Sequence, residues 1–324
     1  MKKKFLKHLI LYVSKSSILV GGQAVIEGVM MRVPGAYSTA VRDSKGIIQT
    51  DRHEFESIIE KKPQLNKPIL RGAINLFESM KMGFKTLQWS SDIAMPDESQ
   101  KTHPFIDILM TLLSILIAFS LFFAIPIGLT DWIFEKNQDA FTFNVLSGSF
   151  RIIFFLLYLV LISLLSDVKR LFQYHGAEHK TVYNFESGQS LNVNNAQSFP
   201  TQHPRCGTSF MFIIMIVAIV SFSIFDSIIM IFVGEIKVWM RLITHIPLIP
   251  LVAGIGYEVL KLTAKYQKNI IFKILAYPGL WLQNITTKIP DDDQVEVAIA
   301  ALKSAFGDDI NKFTGKKFVA EAIG

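Results

Sequence analysis

The chain holds one cysteine, Cys206, in 324 residues. A single thiol closes no intrachain disulfide, so no oxidised scaffold supports this fold. Histidine is scarce too, with seven residues in all. Charged residues make up only 19% of the chain. The glycines follow neither a Walker nor a dinucleotide-binding spacing. There is no internal repeat and no low-complexity tract. No nucleic-acid-binding module is present, and the formal charge of +6 does not call for one, because loops beside a membrane are rich in Lys and Arg. The basic, then apolar, N-terminus lacks a cleavable signal pattern: Lys7, His8 and Lys15 interrupt the apolar run. Phe5, Leu6, Leu9, Ile10 and Val13 form a stripe suited to the membrane surface; an ordinary packed or frayed terminus is the alternative.

What the chain does have is apolar residues in blocks. Half of it is hydrophobic. A bilayer span takes roughly 20 apolar residues. Four segments fit: about Phe105 to Leu129, Ser149 to Leu165, Phe210 to Val233, and Ile246 to Leu262. The last contains Pro247, Pro250, Gly254, Gly256 and Glu258. Such residues are tolerated where neighbouring helices satisfy the freed backbone groups. The loop from Thr130 to Gly148 carries only Lys136, whereas the loop from Ser166 to Ser209 carries Lys169, Arg170, Lys180 and Arg205. The positive-inside rule then places both termini and the central loop in the cytosol.

The expected fold class is a mainly α, polytopic membrane protein with about four transmembrane helices. A small α+β region precedes them, and an amphipathic helix follows. Residues 1–104 are read as the cytosolic α+β region. Residues 105–262 form the membrane domain, with the loop 166–209 on its cytosolic side. Residues 263–324 form an interfacial segment, about 270–282, and the C-terminal helix. Thr39 to Val41 and Ile47 to Ile48 flank Asp43-Ser44-Lys45-Gly46, which predicts a β-hairpin. Ile69, Ala73, Phe77, Met80, Phe84 and Leu87 recur at steps of three and four, which predicts an amphipathic helix with a packing stripe. Pro290 and Asp291 to Asp293 mark the start of the C-terminal helix, one face of which should pack on the other cytosolic parts.

The sharpest chemical signal is His175-Gly176-Ala177-Glu178-His179. On a helix, His175 and His179 share one face and can grip one metal ion, zinc above all. Glu178 sits beside that face and is placed to act as general base. The spacing is that of the inverzincin peptidases; two solvated surface histidines are the plain alternative. The second span is expected to run on through Glu186 as one helix. Gly176 costs that helix about 1 kcal/mol relative to Ala but leaves room for a close approach. A zinc site wants three or four protein ligands. His203 and Cys206, three apart in the same loop, are the first candidates, and Glu258 is the next. For Glu258 a structural pair with Lys261 is the alternative. Cys206 beside a histidine is also a nucleophile by type, against the plain reading of a small buried residue. Asp226 and Arg151, inside spans, are expected to pair. Gly21 to Arg32 is glycine-flanked, and its Glu27 and Arg32 could reach a substrate or pair with each other.

Gln23 to Arg32, HGAEHK at His175 to Lys180, HPRCGTSF at His203 to Phe210, and PGLWLQ with PDDDQVEVAIAAL toward the C-terminus resemble the YqhQ-like family over nearly the whole chain. That bacterial family of unknown function is usually labelled predicted metal-dependent membrane enzymes. The resemblance implies the cytoplasmic (inner) membrane of a bacterium and a metal-dependent reaction, and it names no substrate. Two functions follow as expectations. One is a zinc-dependent hydrolase at the cytosolic membrane face, with Glu178 catalytic and His175, His179, Cys206 and His203 on the metal. The other is a non-catalytic scaffold or assembly factor with a structural metal or none. A transporter would need Asp226, Glu258 and His245 along one path, and the chain lacks the internal repeat many transporters show. The expected partners are the lipid bilayer and an unknown substrate or protein, and no nucleic acid.

Overall fold

The computed structural model describes residues 20–96, 104–134, 139–203, 206–266, 269–313, 315, 316 and 318. The N-terminal stripe of Phe5 to Val13 lies outside them. Four antiparallel strands, β1 (Gly21–Val25), β2 (Gly28–Val33), β3 (Ala36–Arg42) and β4 (Ile48–Glu54), form a sheet in that order. The predicted hairpin is β3–β4, with Asp43 accepting from the Lys45 and Ile47 backbone N–H groups. The first hairpin, β1–β2, turns tightly at Glu27, a non-glycine residue with φ of 51°. An L residue is uncommon in that conformation. Here it is held by an ion pair of its carboxylate with Arg170 and by its carbonyl accepting from Arg42 N–H.

Among the described residues, four helical stretches are long and apolar enough to cross a membrane: Ile108–Ile133, Ala140–Ile162, Phe210–Val233 and Val238–Thr263. The first comprises α2 (Pro104–Phe119) and α3 (Ile125–Ile133), joined through a π-helical turn. The others are α4 (Ala140–Ile162), α6 (Gly207–Val233) and α7 (Val238–Lys265). Leu, Ile and Phe side chains along α2 face outward. That suits lipid and would be costly in water. Helix α8 (Ile270–Thr286) has 17 residues, covers the predicted interfacial segment and packs on α6.

Three expectations need correction. The second span does not continue as one helix. It ends at Ile162, and α5 (Ser166–Ser187) starts afresh after Leu165, whose backbone is extended. The break frees α5 to pack on β1, β2 and α9 (Asp292–Phe306). Asp226 does not pair with Arg151. It accepts from Asn144 at 2.7 Å and from His245 at 2.9 Å, and it contacts Arg241. Arg151 lies over the Phe123 ring, 4.6 Å from its centroid. The stripe on α1 (Leu70–Ala94) does not pack: Phe77 is 64% and Phe84 68% exposed. The opposite face packs instead, because its small and polar residues let β1 approach. Gln23 Nε2 donates to Gly83 O and Thr86 Oγ1, and Ile26 N–H donates to Ser90 Oγ.

The extramembrane core joins the two ends of the sequence. Helix α9 lays Val295, Ala298, Leu302 and Ala305 against the sheet and against Tyr174, Ala177 and Phe185 of α5. Its start is a capping box at Asp291, with Gln294 reaching back to the Asp291 N–H. The predicted inward face of the C-terminal helix is therefore present.

Candidate metal centre

Helix α5 carries His175, Glu178 and His179 out of the membrane domain and into the extramembrane core. Two segments cross it and orient the histidines. The chain leaving α8 passes over Gly176, where a Cβ would collide with the Lys288 carbonyl. Lys288 N–H donates to Phe172 O at 2.9 Å. This docking brings Thr286 O to His175 Nδ1 at 2.8 Å. On the other side runs the segment 197–203. Lys180 Nζ donates to Gln197 O at 2.8 Å and Phe199 O at 2.6 Å. Tyr183 OH donates to Gln202 O at 3.1 Å. That places Thr201 O against His179 Nδ1.

Both imidazoles thus give Nδ1–H to a backbone carbonyl, which leaves Nε2 as the lone-pair nitrogen. Metal-ligating histidines commonly give their other ring N–H to such an oxygen. The Nε2 of His175 lies 3.1 Å from Cys206 Sγ. Donor atoms of His175, His179 and Cys206 all lie within 4.8 Å of one another. Cys206 is the N-cap residue of α6, so the third donor comes from the start of a membrane helix. Two imidazoles and a thiolate suit zinc. The three residues fit such an ion by donor type, by the direction of both rings and by mutual approach.

Glu178 sits next to this cluster, 6% exposed. Burial pushes its carboxyl above the usual range, opposed by His175 and His203. Its Oε2 has no hydrogen-bond partner among the described residues. Gly22 of β1 provides the facing wall: a Cβ there would come 3.3 Å from Glu178 Cδ. Burial also lowers the pKa of His179, and it lowers that of His203 to about 4. His203 is near the cluster, its ring centroid 5.6 Å from that of His179. Its Nε2, however, lies 3.6 Å from Glu186 Oε2.

The cluster borders a cavity of about 480 Å3 lined by residues of β1, α1, α5, α6 and α7. The remaining sequence candidates lie elsewhere. Glu258 pairs with Arg71 through both oxygens (Arg71 Nε to Oε1 2.7 Å) and accepts from Ile69 N–H, so its partner is not Lys261. Glu27 is held by Arg170 and by Tyr174 OH at 3.2 Å. Arg32 stacks over Phe55 at 4.6 Å and borders a separate, smaller cavity. Glu27 and Arg32 pair neither with each other nor with the cluster. Sequence reasoning missed the carbonyls of Thr286 and Thr201 and the wall at Gly21–Gly22. Only the glycine pair left a trace in the sequence.

No solved structure matches this chain. It is 35% identical over 300 residues to the uncharacterized protein YqhQ of Bacillus subtilis (strain 168), an alignment covering 86% of this chain and 89% of that protein. The model of the family described as "Protein of unknown function (DUF1385)" matches residues 67–308. The chain is a member of that family.

Proposed function

We propose that this protein is a metal-dependent hydrolase at the cytosolic face of a bacterial inner membrane, both termini being cytosolic. The metal is divalent, zinc by donor chemistry, held by His175, His179 and Cys206, with His203 in reserve as a fourth ligand. One observation carries the reading: two imidazoles fixed at Nδ1 by backbone carbonyls turn Nε2 toward one thiol at a cavity wall, beside a buried carboxyl.

A metal bound there supplies Lewis acidity. The protein supplies the rest. Thr286 and Thr201 hold the rings in one tautomer. Glu178, a buried carboxyl beside the cluster, is placed to accept a proton from water and return it to a leaving group. Three protein donors would hold the ion, the number of protein ligands in catalytic zinc sites, whereas a closed structural site has four. If His203 swung in to close the set, the scaffold reading would gain, and Glu178 would then have no chemical duty.

The test is metal content by mass spectrometry of the detergent-purified protein beside the His175→Ala/His179→Ala variant. About one zinc per chain, lost in the variant, is expected. Equal, metal-free folding of both proteins would overturn the reading.

A further inference from the structure

The cavity beside the cluster is far larger than a water molecule needs. At about 480 Å3 it falls in the range of organic-ligand sites, roughly 300–1,000 Å3. Leu76 of α1, Leu171 and Phe172 of α5, Phe210 of α6 and Leu260 of α7 line it. All five are only partly buried, so their apolar surfaces are not covered by the protein itself. Among the described lining residues there is no Lys or Arg, so apart from an ion held by the cluster itself the described wall offers no cation to a phosphate or carboxylate headgroup. Of the polar groups on the wall, Gln23 donates to Gly83 O and Thr86, and Thr208 contacts Cys206 Sγ at 3.2 Å, while Asn75, Ser79 and Tyr257 lie toward α1 and α7. At the metal-cluster end, the polar groups bordering the cavity include His175, His179, Glu178 and Cys206.

A ligand complementary to this space has a long apolar body and one neutral, hydrolysable group. Phe210 and Leu260 belong to two of the stretches long and apolar enough to cross a membrane, so the cavity lies at the ends of those apolar helices. A hydrocarbon chain is satisfied by apolar walls of this kind and needs no hydrogen-bond partners along them. We infer that the cavity receives the acyl chain of a neutral membrane acyl lipid and sets its ester or amide carbonyl at the His175–His179–Cys206 cluster. The reaction assigned to it rests on the hydrolase reading above. Water oxygen bonds to the acyl carbon and the carbon–oxygen or carbon–nitrogen bond breaks. One proton of that water passes through Glu178 to the departing alcohol or amine, and the products are a fatty acid and that alcohol or amine. Binding of the chain is measurable apart from the reaction.

The test uses monopalmitoylglycerol with a mid-chain diazirine, photolysed with the full-length protein in phosphatidylcholine nanodiscs. Labelled residues are mapped by mass spectrometry, and zinc is measured in the same samples. Labelling is expected around Leu76, Leu171, Phe172 and Phe210, displaced by unlabelled monopalmitoylglycerol. Filling the cavity with Leu76→Trp or Leu171→Trp should lower it roughly tenfold, equivalent to about 1.4 kcal/mol of binding. Ile231→Trp, at the exposed far end of α6, should leave it unchanged. The His175→Ala/His179→Ala variant should keep the labelling and lose the zinc. Labelling confined to outward faces of the spans and indifferent to both cavity tryptophans would overturn the inference, even with zinc retained. So would displacement by an apolar peptide and not by the lipid. Cavity labelling in a wild-type protein without zinc would support chain binding and overturn only the metal reading.

Discussion

Gln283 clamps the backbone of His203 with both ends of its side-chain amide. Its Oε1 accepts from His203 N–H at 2.7 Å, and its Nε2 donates to His203 O at 2.9 Å. Gln283 is fully buried, and the clamp ties α8 to the loop that ends in Cys206. Buried, two-sided hydrogen bonding of this kind fixes a loop where apolar contact would let it slide.

Gln283→Leu therefore leaves the His203 N–H and C=O without that partner, at a cost of roughly 1–3 kcal/mol. A lower unfolding temperature is expected, together with weaker zinc retention because Cys206 is no longer held. Thermal unfolding and zinc content under a chelator titration check both. Unchanged zinc retention would show that Cys206 is positioned independently of the clamp.

Gly176→Ala separates two opposing effects. Alanine favours an isolated helix by about 1 kcal/mol. In this fold its Cβ meets the Lys288 carbonyl, and relieving such overpacking costs typically about 1–3 kcal/mol. A net loss of stability is expected, read by thermal unfolding. A more stable variant would mean that the chain after α8 does not cross α5 at this point.

Glu178→Gln keeps the shape and removes the carboxylate proposed as the base. It should retain zinc and lose hydrolysis by roughly 10²–10⁴-fold, the usual scale of general acid–base catalysis. Zinc lost along with activity would instead mark Glu178 as a ligand.

The same substitution has a pH signature in the chelated, metal-free protein. The Glu178 carboxyl has a folded pKa raised above its unfolded value. Its contribution to stability is complete below the unfolded pKa and is lost as pH rises through the folded pKa. Metal-free Glu178→Gln should thus lose less stability than metal-free wild type as pH rises above the ordinary carboxyl range. Parallel melting curves across that rise would show that the carboxyl is solvated.

Glu258→Gln weakens a partly exposed ion pair with Arg71 and touches no member of the cluster. A stability change of about 1 kcal/mol or less is expected, with zinc content equal to wild type. Loss of zinc would bring Glu258 back as a ligand.

The sequence by itself determined the spans, the β3–β4 hairpin and the helical spacing of His175 and His179. Each is written in local periodicity or turn chemistry, which needs no distant partner to be read. The tertiary structure decided the rest, because it depends on which segments cross. The α1 stripe reads as a packing face in one dimension, yet the small residues Gly83, Thr86 and Ser90 are what allow β1 to approach. Arg71, 187 positions before Glu258, takes the role that its neighbour Lys261 seemed placed to fill. The Thr286 and Thr201 carbonyls that orient the two histidines belong to the backbone and leave no residue-type signature. Cys206 stands beside the two histidines at the end of a segment that Gln283, from another helix, holds at His203. A backbone carbonyl or a buried amide acts through position, and position is set by packing between segments far apart in the chain.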